Sequence, residues 1–281
     1  MRGVRAGVTG LGVVSLLGYG VGFRRVAGGG DGTLVAYVVL FVGLFVLYLG
    51  GVWLVLRRPA DDPGLLGLVL GFGLLFRLVL LPTPVVLSSD VHRYLWDGRV
   101  QRAGFNPYRY PPAAPELAAL RDPLVYPEIN RPTKRTVYPP GSETLFLLVA
   151  RLDPDSLLAW RLVLLSAEVA TGLLLLDLLR RMGLPRPAIL VYAWAPLVVF
   201  EGVQAGHLEV AVLPAILLAL RWRQAGHMGR AGVALGVAVS MKLYPASRRA
   251  RGGTCCSTST GRPACGAGPR STMRAAGPTT R

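Results

Sequence analysis

The densest group of polar side chains lies in the stretch SSDVHRYLWDGRVQRAGFNPYRYPP, residues 88–112. Within it, Asp90, Arg93 and Asp97 follow one another at intervals of three and four residues, which places them on one face of a helix. Tyr94 belongs to the same face. A carboxylate on this face can accept a proton, and the cation beside it can bind a phosphate. This face is therefore a candidate acid/base and phosphate-binding site. The alternative is a solvated amphipathic helix with ordinary ion pairs.

A second polar segment, RPTKRTVYPPGSETLF at residues 131–146, joins a basic cluster to an aromatic residue. Lys134 and Arg135 lie just before Tyr138, and apolar residues follow. Basic residues at such a boundary suit an anionic lipid head group or a phosphate. The alternative is a positively charged loop end without a ligand.

A third, shorter segment, FEGVQAGHLEV, lies between two apolar stretches and contains Glu201, His207 and Glu209. His207 and Glu209 are two residues apart, so they do not share a helix face, but they can converge in a turn. A histidine and two glutamates can bind a divalent metal, yet the spacing is not that of a zinc-binding HExxH motif. We therefore expect neither a metal site nor a cofactor.

Apolar helices must position these segments, because 52% hydrophobic residues, 16% charged residues and a mean hydropathy of +0.46 leave too little polar surface for a soluble globule. A membrane-spanning helix needs roughly 20 apolar residues. The candidate spans are residues 8–23, 34–56, 65–87, 157–179, 187–200, 208–220 and 231–244. The first could also be a signal peptide, but no small-x-small cleavage site follows it. The sequence thus predicts an all-α polytopic transmembrane helix bundle with about seven spans.

The orientation of this bundle follows from the basic residues in its short connections. One side collects Arg2, Arg5, Arg57, Arg58, Arg180, Arg181, Arg186, Arg221, Arg223 and Arg230. That side is predicted to be cytoplasmic, which places one large loop, residues 88–141, and the segment 201–209 outside the cell. The outer loop itself carries eight basic and five acidic residues. Either the topology is inverted or these cations bind something.

Three charged residues lie within the predicted spans, namely Arg77, Arg161 and Glu168. Each costs a few kcal/mol at the centre of a membrane helix, so such a residue usually faces the bundle interior. We expect Arg77 to pair with Glu168 on another helix, in either a structural or a catalytic role. Asp177 is expected to snorkel from the cytoplasmic end of its span.

The chain changes character after Ala246. Residues 247–281 contain seven Arg, all three Cys, and no acidic residue, Leu, Ile or Val. We expect a transmembrane domain at residues 1–246 and an anomalous basic tail at 247–281, which is either a disordered cytoplasmic segment or the product of a frameshift near Ala246. Since this tail supplies +7 of the net charge of +16, the charge does not indicate nucleic-acid binding, and its cysteines indicate neither a disulfide nor a metal site.

Four stretches together resemble the membrane glycosyltransferases of the GT-C superfold, in the order of that family, over residues 76–245. They are FRLVLLPTPVVLSSDVHRYLWDGRVQRAGFNPYRYPP, INRPTKRTVYPPG, EGVQAGHLEV and SMKLYP. The closest group uses polyprenyl-phosphate sugars, as bacterial mannosyltransferases do. The resemblance implies a multi-pass protein of the bacterial inner membrane that transfers a sugar, with inversion, from a polyprenyl-phosphate donor to a glycan or lipid acceptor outside.

The resemblance also implies roles for particular residues. Asp90 matches the family's catalytic base, and Asp97 is the second candidate. Arg93, Arg99, Lys134, Arg135 and Lys242 are the cations available to the departing lipid phosphate. The residues expected to bind sugar hydroxyls or line the sugar site are Tyr94, Asn106, Tyr108, Tyr138, Glu201, His207 and Glu209. The alternatives are a transporter or flippase for a lipid-linked sugar, although no internal repeat is present, and an inactive fragment of the enzyme.

Overall fold

A computed structural model describes residues 1–29 and 33–243, and no strand occurs in these ranges. The helices are α1 (Arg2–Ala27), α2 (Thr33–Arg57), α3 (Pro63–Leu80), α4 (Asp90–Arg102), α5 (Pro140–Leu152), α6 (Leu157–Arg181), α7 (Arg186–Ala193), α8 (Pro196–Gln204), α9 (Glu209–Gln224) and α10 (Met228–Met241). Two short 3₁₀ turns, Pro115–Leu120 and Tyr126–Glu128, lie between α4 and α5. The predicted all-α class is confirmed.

Four of the helices, α1, α2, α3 and α6, are long and apolar enough to cross a membrane. The pair α7 and α8 meets the same test together but bends by 61° at its break, so it gives a fifth span at most. Helices α9 and α10, with 16 and 14 residues, are shorter than a full span. A polytopic bundle with four or five candidate spans is therefore established for the described residues, and a total of seven stays a prediction.

Helix α3 begins where its sequence provides a cap. Asp62 precedes Pro63 and accepts a hydrogen bond from the backbone N–H of Leu65 at 3.0 Å. The helix ends at Leu80, earlier than the predicted residue 87, because Pro82 and Pro84 follow and disfavour helical geometry in the residues before them. Residues 81–89 therefore form an irregular linker into α4.

Aromatic side chains pack the core between the spans. Tyr19 of α1 lies 4.9 Å from the ring of Phe76 in α3 and 5.3 Å from Phe200 in α8. Trp194, next to α7, donates a hydrogen bond to the carbonyl of Val69 at 2.8 Å, which satisfies its indole N–H inside the core. These contacts join three candidate spans.

A second apolar cluster holds α4 and α5 against the start of α6. The Tyr94 ring stacks on Phe146 at 4.8 Å, and Phe146 lies 5.6 Å from Trp160. All three side chains are buried. The helix that carries the predicted acid/base face is therefore anchored by its own aromatic residue.

The predicted pairing of Arg77 with Glu168 is confirmed. The Arg77 guanidinium forms an ion pair with the Glu168 carboxylate and also donates to the carbonyls of Gly73 at 2.8 Å and Ala193 at 2.7 Å. Asp177, near the end of α6, pairs with Arg181 and with Arg221 of α9, each at 2.8 Å.

The predicted domain boundary after Ala246 and the basic tail at 247–281 lie outside the described residues.

Candidate functional site

Several of the predicted residues lie where three irregular segments converge. The linker after α3 leads to Asp90 at the first position of α4, the turn between α8 and α9 carries His207, and Lys242 follows α10. The charges of Glu209 and Asp90 both act on the imidazole of His207, which shows that these groups share one neighbourhood. The structure thus brings together residues that are more than 150 positions apart in the chain.

His207 connects two of these segments. Its Nδ1 lies 2.5 Å from Oε2 of Glu201, and its Nε2 lies 2.9 Å from Oγ of Ser88. The hydrogen bond with Glu201 raises the pKa of His207 above its ordinary value, since the carboxylate favours the charged imidazole. In that form both ring nitrogens donate, one to Glu201 and one to Ser88. Sequence reasoning assigned Ser88 no role at the site, and its only signal is its place two residues before Asp90.

Asp90 presents a carboxylate at the open side of this cluster. The side chain is half-buried, and Nδ2 of Asn130 donates to its Oδ1 at 2.8 Å. Its backbone N–H donates to Oγ of Ser88 at 3.3 Å. No other hydrogen bond to this carboxylate comes from residues 1–29 or 33–243, so Oδ2 is accessible to a substrate.

Asp97 and Arg93 occupy a different environment from Asp90, although all three were predicted on one face. The Arg93 Nε donates to both carboxylate oxygens of Asp97, at 2.9 and 3.0 Å. Arg93 also donates to the backbone carbonyl of Lys134 at 3.1 Å. Only 6% of Arg93 and 1% of Asp97 is exposed. This pair fastens α4 to the loop before α5 and offers no open face to a ligand.

A second carboxyl group, Glu143 of α5, completes the buried network. Thr136 donates to its Oε1 at 2.6 Å, and Gln101 donates to its Oε2 at 2.8 Å. Burial raises the pKa of Glu143 to about 8, and the carboxylate of Asp97 acts in the same direction. Because Arg93 pairs with Asp97, we assign the charge to Asp97 and the proton to Glu143. Glu143 was missed at the level of sequence, since no local spacing connects it to Asp97.

The predicted phosphate-binding cations divide into two groups. Arg99 pairs with Asp122 and, at 2.8 Å, with Asp155, so it joins α4 to two loops. Lys242 pairs with Glu209. By contrast, the side chains of Lys134 and Arg135 are exposed and form no ion pair within the described part of the chain.

Of the predicted sugar-site residues in the loop after α4, Asn106 and Tyr108 are exposed and Tyr138 is half-buried. Tyr108 donates its hydroxyl to the carbonyl of Tyr138 at 2.7 Å, and the Asn106 side chain accepts from the backbone N–H of Tyr108 at 2.9 Å. The ring of Tyr138 stands edge-on to Tyr94 at 5.1 Å. Burial raises the pKa of Tyr138 to about 12, and the nearby charge of Asp90 adds to this shift. Tyr138 therefore lies beside Asp90, whereas Tyr94 is buried in the packing beneath it.

Among the described residues, no group of three or more His, Cys, Asp or Glu side chains is arranged to hold a metal ion.

Comparison with known proteins gives one match. A family model described as alpha-(1->6)-mannopyranosyltransferase, N-terminal domain, matches residues 4–248. No curated protein and no solved structure matches the chain. The matched range includes every residue of the cluster around Asp90 and His207.

Proposed function

Since this chain belongs to the alpha-(1->6)-mannopyranosyltransferase family, we propose that it transfers mannose from a polyprenyl-phosphate donor to a glycan or lipid acceptor at the outer face of a bacterial inner membrane. The family match supports mannosyl transfer, and the apolar helices support a membrane-embedded enzyme. The resemblance to GT-C glycosyltransferases supports the lipid-phosphate donor, inversion at the anomeric carbon and an active site in the outer segments.

The observation that carries this proposal is the environment of Asp90. A general base must be ionised, oriented and within reach of the acceptor hydroxyl. Asn130 orients the Asp90 carboxylate through one oxygen, and the other oxygen remains accessible. Asp97 meets this requirement less well, because it is buried and both of its oxygens bind Arg93.

In the proposed reaction, Asp90 accepts the proton of the acceptor hydroxyl as that oxygen forms a bond to the anomeric carbon of mannose. The bond from this carbon to the phosphate oxygen breaks on the opposite face, and its electron pair leaves with the lipid phosphate. Cations fixed near that oxygen stabilise the developing charge. Lys134 and Arg135 suit this role, because their side chains are exposed and unpaired within the described residues.

His207 and Glu209 are proposed to contact sugar hydroxyls. Both groups share the neighbourhood of Asp90, and both are held by partners of opposite charge, Glu201 for His207 and Lys242 for Glu209. The paired carboxylate of Glu209 keeps a fixed orientation while its other oxygen can accept from hydroxyl groups. The imidazole of His207 donates to Glu201 and Ser88, so a sugar hydroxyl would take the place of Ser88 at its Nε2. Tyr108 and Asn106 are exposed, and Tyr108 donates to the carbonyl of Tyr138, which lies beside Asp90.

The proposal is tested with the purified protein in proteoliposomes, using polyprenyl-phosphate mannose as donor and a manno-oligosaccharide as acceptor. Asp90→Asn should lower the transfer rate about 10²–10⁴-fold, the usual contribution of a general base, while donor binding is retained. Asp153→Asn is the matched control, because Asp153 is an exposed carboxylate at the end of α5. Transfer at the normal rate by Asp90→Asn would refute the assignment of the base.

A further inference from the structure

A buried arginine at the start of α6 connects the two segments that carry the candidate site. Arg161 is 1% exposed, and no carboxylate pairs with it among the described residues. Its guanidinium donates to the carbonyls of Leu81 at 2.7 Å and Thr83 at 2.6 Å, both in the linker that leads to Asp90. It also donates to the carbonyl of Gln204, at the end of α8. One side chain therefore holds two chain segments that are far apart in sequence.

Two further hydrogen bonds act between the same elements. The Gln204 amide donates to the carbonyl of Pro84 at 2.8 Å, which ties the end of α8 directly to the linker. Trp160, the neighbour of Arg161, donates to the carbonyl of Gly206 at 2.7 Å. Gly206 has φ +77°, a conformation that favours glycine, and it directly precedes His207. The first turn of α6 thus fixes both the linker before Asp90 and the turn that carries His207.

The chemistry of this contact differs from that of Arg77, the other buried arginine within the candidate spans. Arg77 has its charge balanced by Glu168, whereas the two terminal nitrogens of Arg161 donate to backbone carbonyls alone, and its buried Nε has no partner among the described residues. Burying a guanidinium without a counter-ion is costly. Leu81 and Thr83 lie in an irregular, proline-rich linker, where their carbonyls have no helical N–H partners. The guanidinium of Arg161 provides the hydrogen-bond donors for them instead. A planar fork with five donors can bind several carbonyls in a fixed arrangement, which a lysine ammonium does not reproduce.

We propose that Arg161 is a positioning residue of the mannosyl transfer, which sets the separation between Asp90 and His207. This inference rests on the proposed function, because it assigns those two residues to one site. The hydrogen bonds of Arg161 thereby maintain a contact between the linker before Asp90 and the turn that carries His207. This contact is the hydrogen bond between Ser88 and His207, at 2.9 Å. Arg161 itself touches neither reacting atom, and it acts by holding the segments that do.

The first test separates turnover from binding. Arg161→Gln removes the charge and most of the donors, and kcat should fall about 100-fold, the effect of a misplacement of roughly 1 Å at a reacting centre. The KM for the donor should change little, because the exposed cations Lys134 and Arg135 are untouched. Arg161→Lys should retain more activity than Arg161→Gln, because lysine keeps the positive charge. It should remain less active than the native enzyme, because an ammonium group lacks the planar arrangement of donors of a guanidinium.

Arg77→Lys is the matched control. Arg77 is also a buried arginine that donates to carbonyls, but its acceptors, Gly73 and Ala193, lie within the bundle. This variant should lose thermal stability while its kcat per folded molecule stays near that of the native enzyme. A normal kcat in folded Arg161→Gln would overturn the proposal, as would an equal loss of kcat in Arg77→Lys.

The second test does not depend on activity. Ser88→Cys and His207→Cys are combined in a background in which Cys255, Cys256 and Cys265 are replaced by Ser, and a short bifunctional thiol reagent is applied in membranes. The cross-linking yield should fall when Arg161→Gln or Arg161→Lys is added, and an unchanged yield with both would overturn the proposal. Asp90→Asn tests the base separately, so failure of the proposed reaction is distinguishable from failure of the positioning role.

Discussion

The guanidinium of Arg77 in α3 pairs with the carboxylate of Glu168 in α6, and the second carboxylate oxygen packs against Gly202 of α8. A Cβ atom at position 202 would collide with that oxygen. One ion pair thus fixes the spacing of three candidate spans. Neither charge has access to water, since Arg77 is 5% and Glu168 3% exposed, so each depends on the other for compensation.

Removing one partner of this pair should be more harmful than removing both. Glu168→Leu leaves the Arg77 charge buried and uncompensated, and we expect a loss of about 3–5 kcal/mol in the free energy of unfolding. The double variant Arg77→Met, Glu168→Leu should recover most of this loss, because it buries no charge. Thermal unfolding in detergent measures the stability of the single variant and of the double variant. A double variant no more stable than Glu168→Leu would contradict the account.

The pairing of Arg77 with Glu168 could be predicted from the sequence, because the cost of an isolated charge among apolar residues requires a partner and few are available. The candidate spans could be predicted for a similar reason, since the length of an apolar run is a local property. The environments of Arg93 and Asp97 could not be predicted from the sequence. Spacing places them on a helix face, but only the packing of α5 shows that this face is covered. The role of Arg161 was equally hidden, because its partners are backbone carbonyls that carry no sequence signal.

The exposed cations before α5 should act on the donor phosphate. Lys134→Ala combined with Arg135→Ala removes two charges without breaking an ion pair in the described residues. We expect kcat/KM for the donor to fall about tenfold or more, since a hydrogen bond to a charged group contributes roughly 1.5–3 kcal/mol. Steady-state kinetics with varied donor concentration measures this change.

Arg102→Ala is the matched control for the cation pair. Arg102 is exposed at the end of α4 and likewise makes no ion pair with a described residue. Its loss should leave donor kinetics near normal. Equal effects of the two variants would mean that general surface charge, rather than a phosphate site at Lys134 and Arg135, attracts the donor.

The Glu143 carboxyl should make stability depend on pH. Its pKa is raised from the ordinary 4.5 to about 8, so between these values the folded state binds more protons than the unfolded state. Stability therefore falls as pH rises from about 5 to 9. Glu143→Gln cannot ionise, so its side chain stays neutral as pH rises. The variant should have a higher Tm than the native protein at pH 9, by at least about 2–4 °C, the effect of roughly 1 kcal/mol.

Glu116→Gln provides the reference for this pH effect. Glu116 is an exposed carboxylate in the 3₁₀ turn after α4, and it makes no hydrogen bond or ion pair with a described residue. Its replacement should leave the pH profile of Tm unchanged. If Glu143→Gln and Glu116→Gln give the same profile, Glu143 does not hold a proton at neutral pH.

His207 should also stabilise the folded state at low pH, as Glu143 does. Its pKa lies above the ordinary 6.5 because Glu201 stabilises the imidazolium form. The stabilisation is fully present below pH 6.5 and is lost as pH rises through the raised pKa. The difference in Tm between the native protein and His207→Gln should therefore be largest near pH 6 and should shrink at higher pH. Glu201→Gln should shrink it in the same way, and a difference independent of pH would refute this assignment.

The contact between α4 and α5 depends on a glycine. A Cβ atom at Gly98 would lie 2.5 Å from the carbonyl oxygen of Phe146 and 3.0 Å from the side chain of Ala150, and the backbone oxygen has no room to move within its helix. Gly98→Ala should therefore push α4 away from α5, lower Tm and reduce transfer by displacing Asp90 at the other end of α4. Gly71→Ala is the control, because a Cβ atom there meets nothing within 4 Å and alanine favours a helix interior. A Tm for Gly98→Ala equal to or above that of Gly71→Ala would show that the two helices do not pack as closely as the backbone contact indicates.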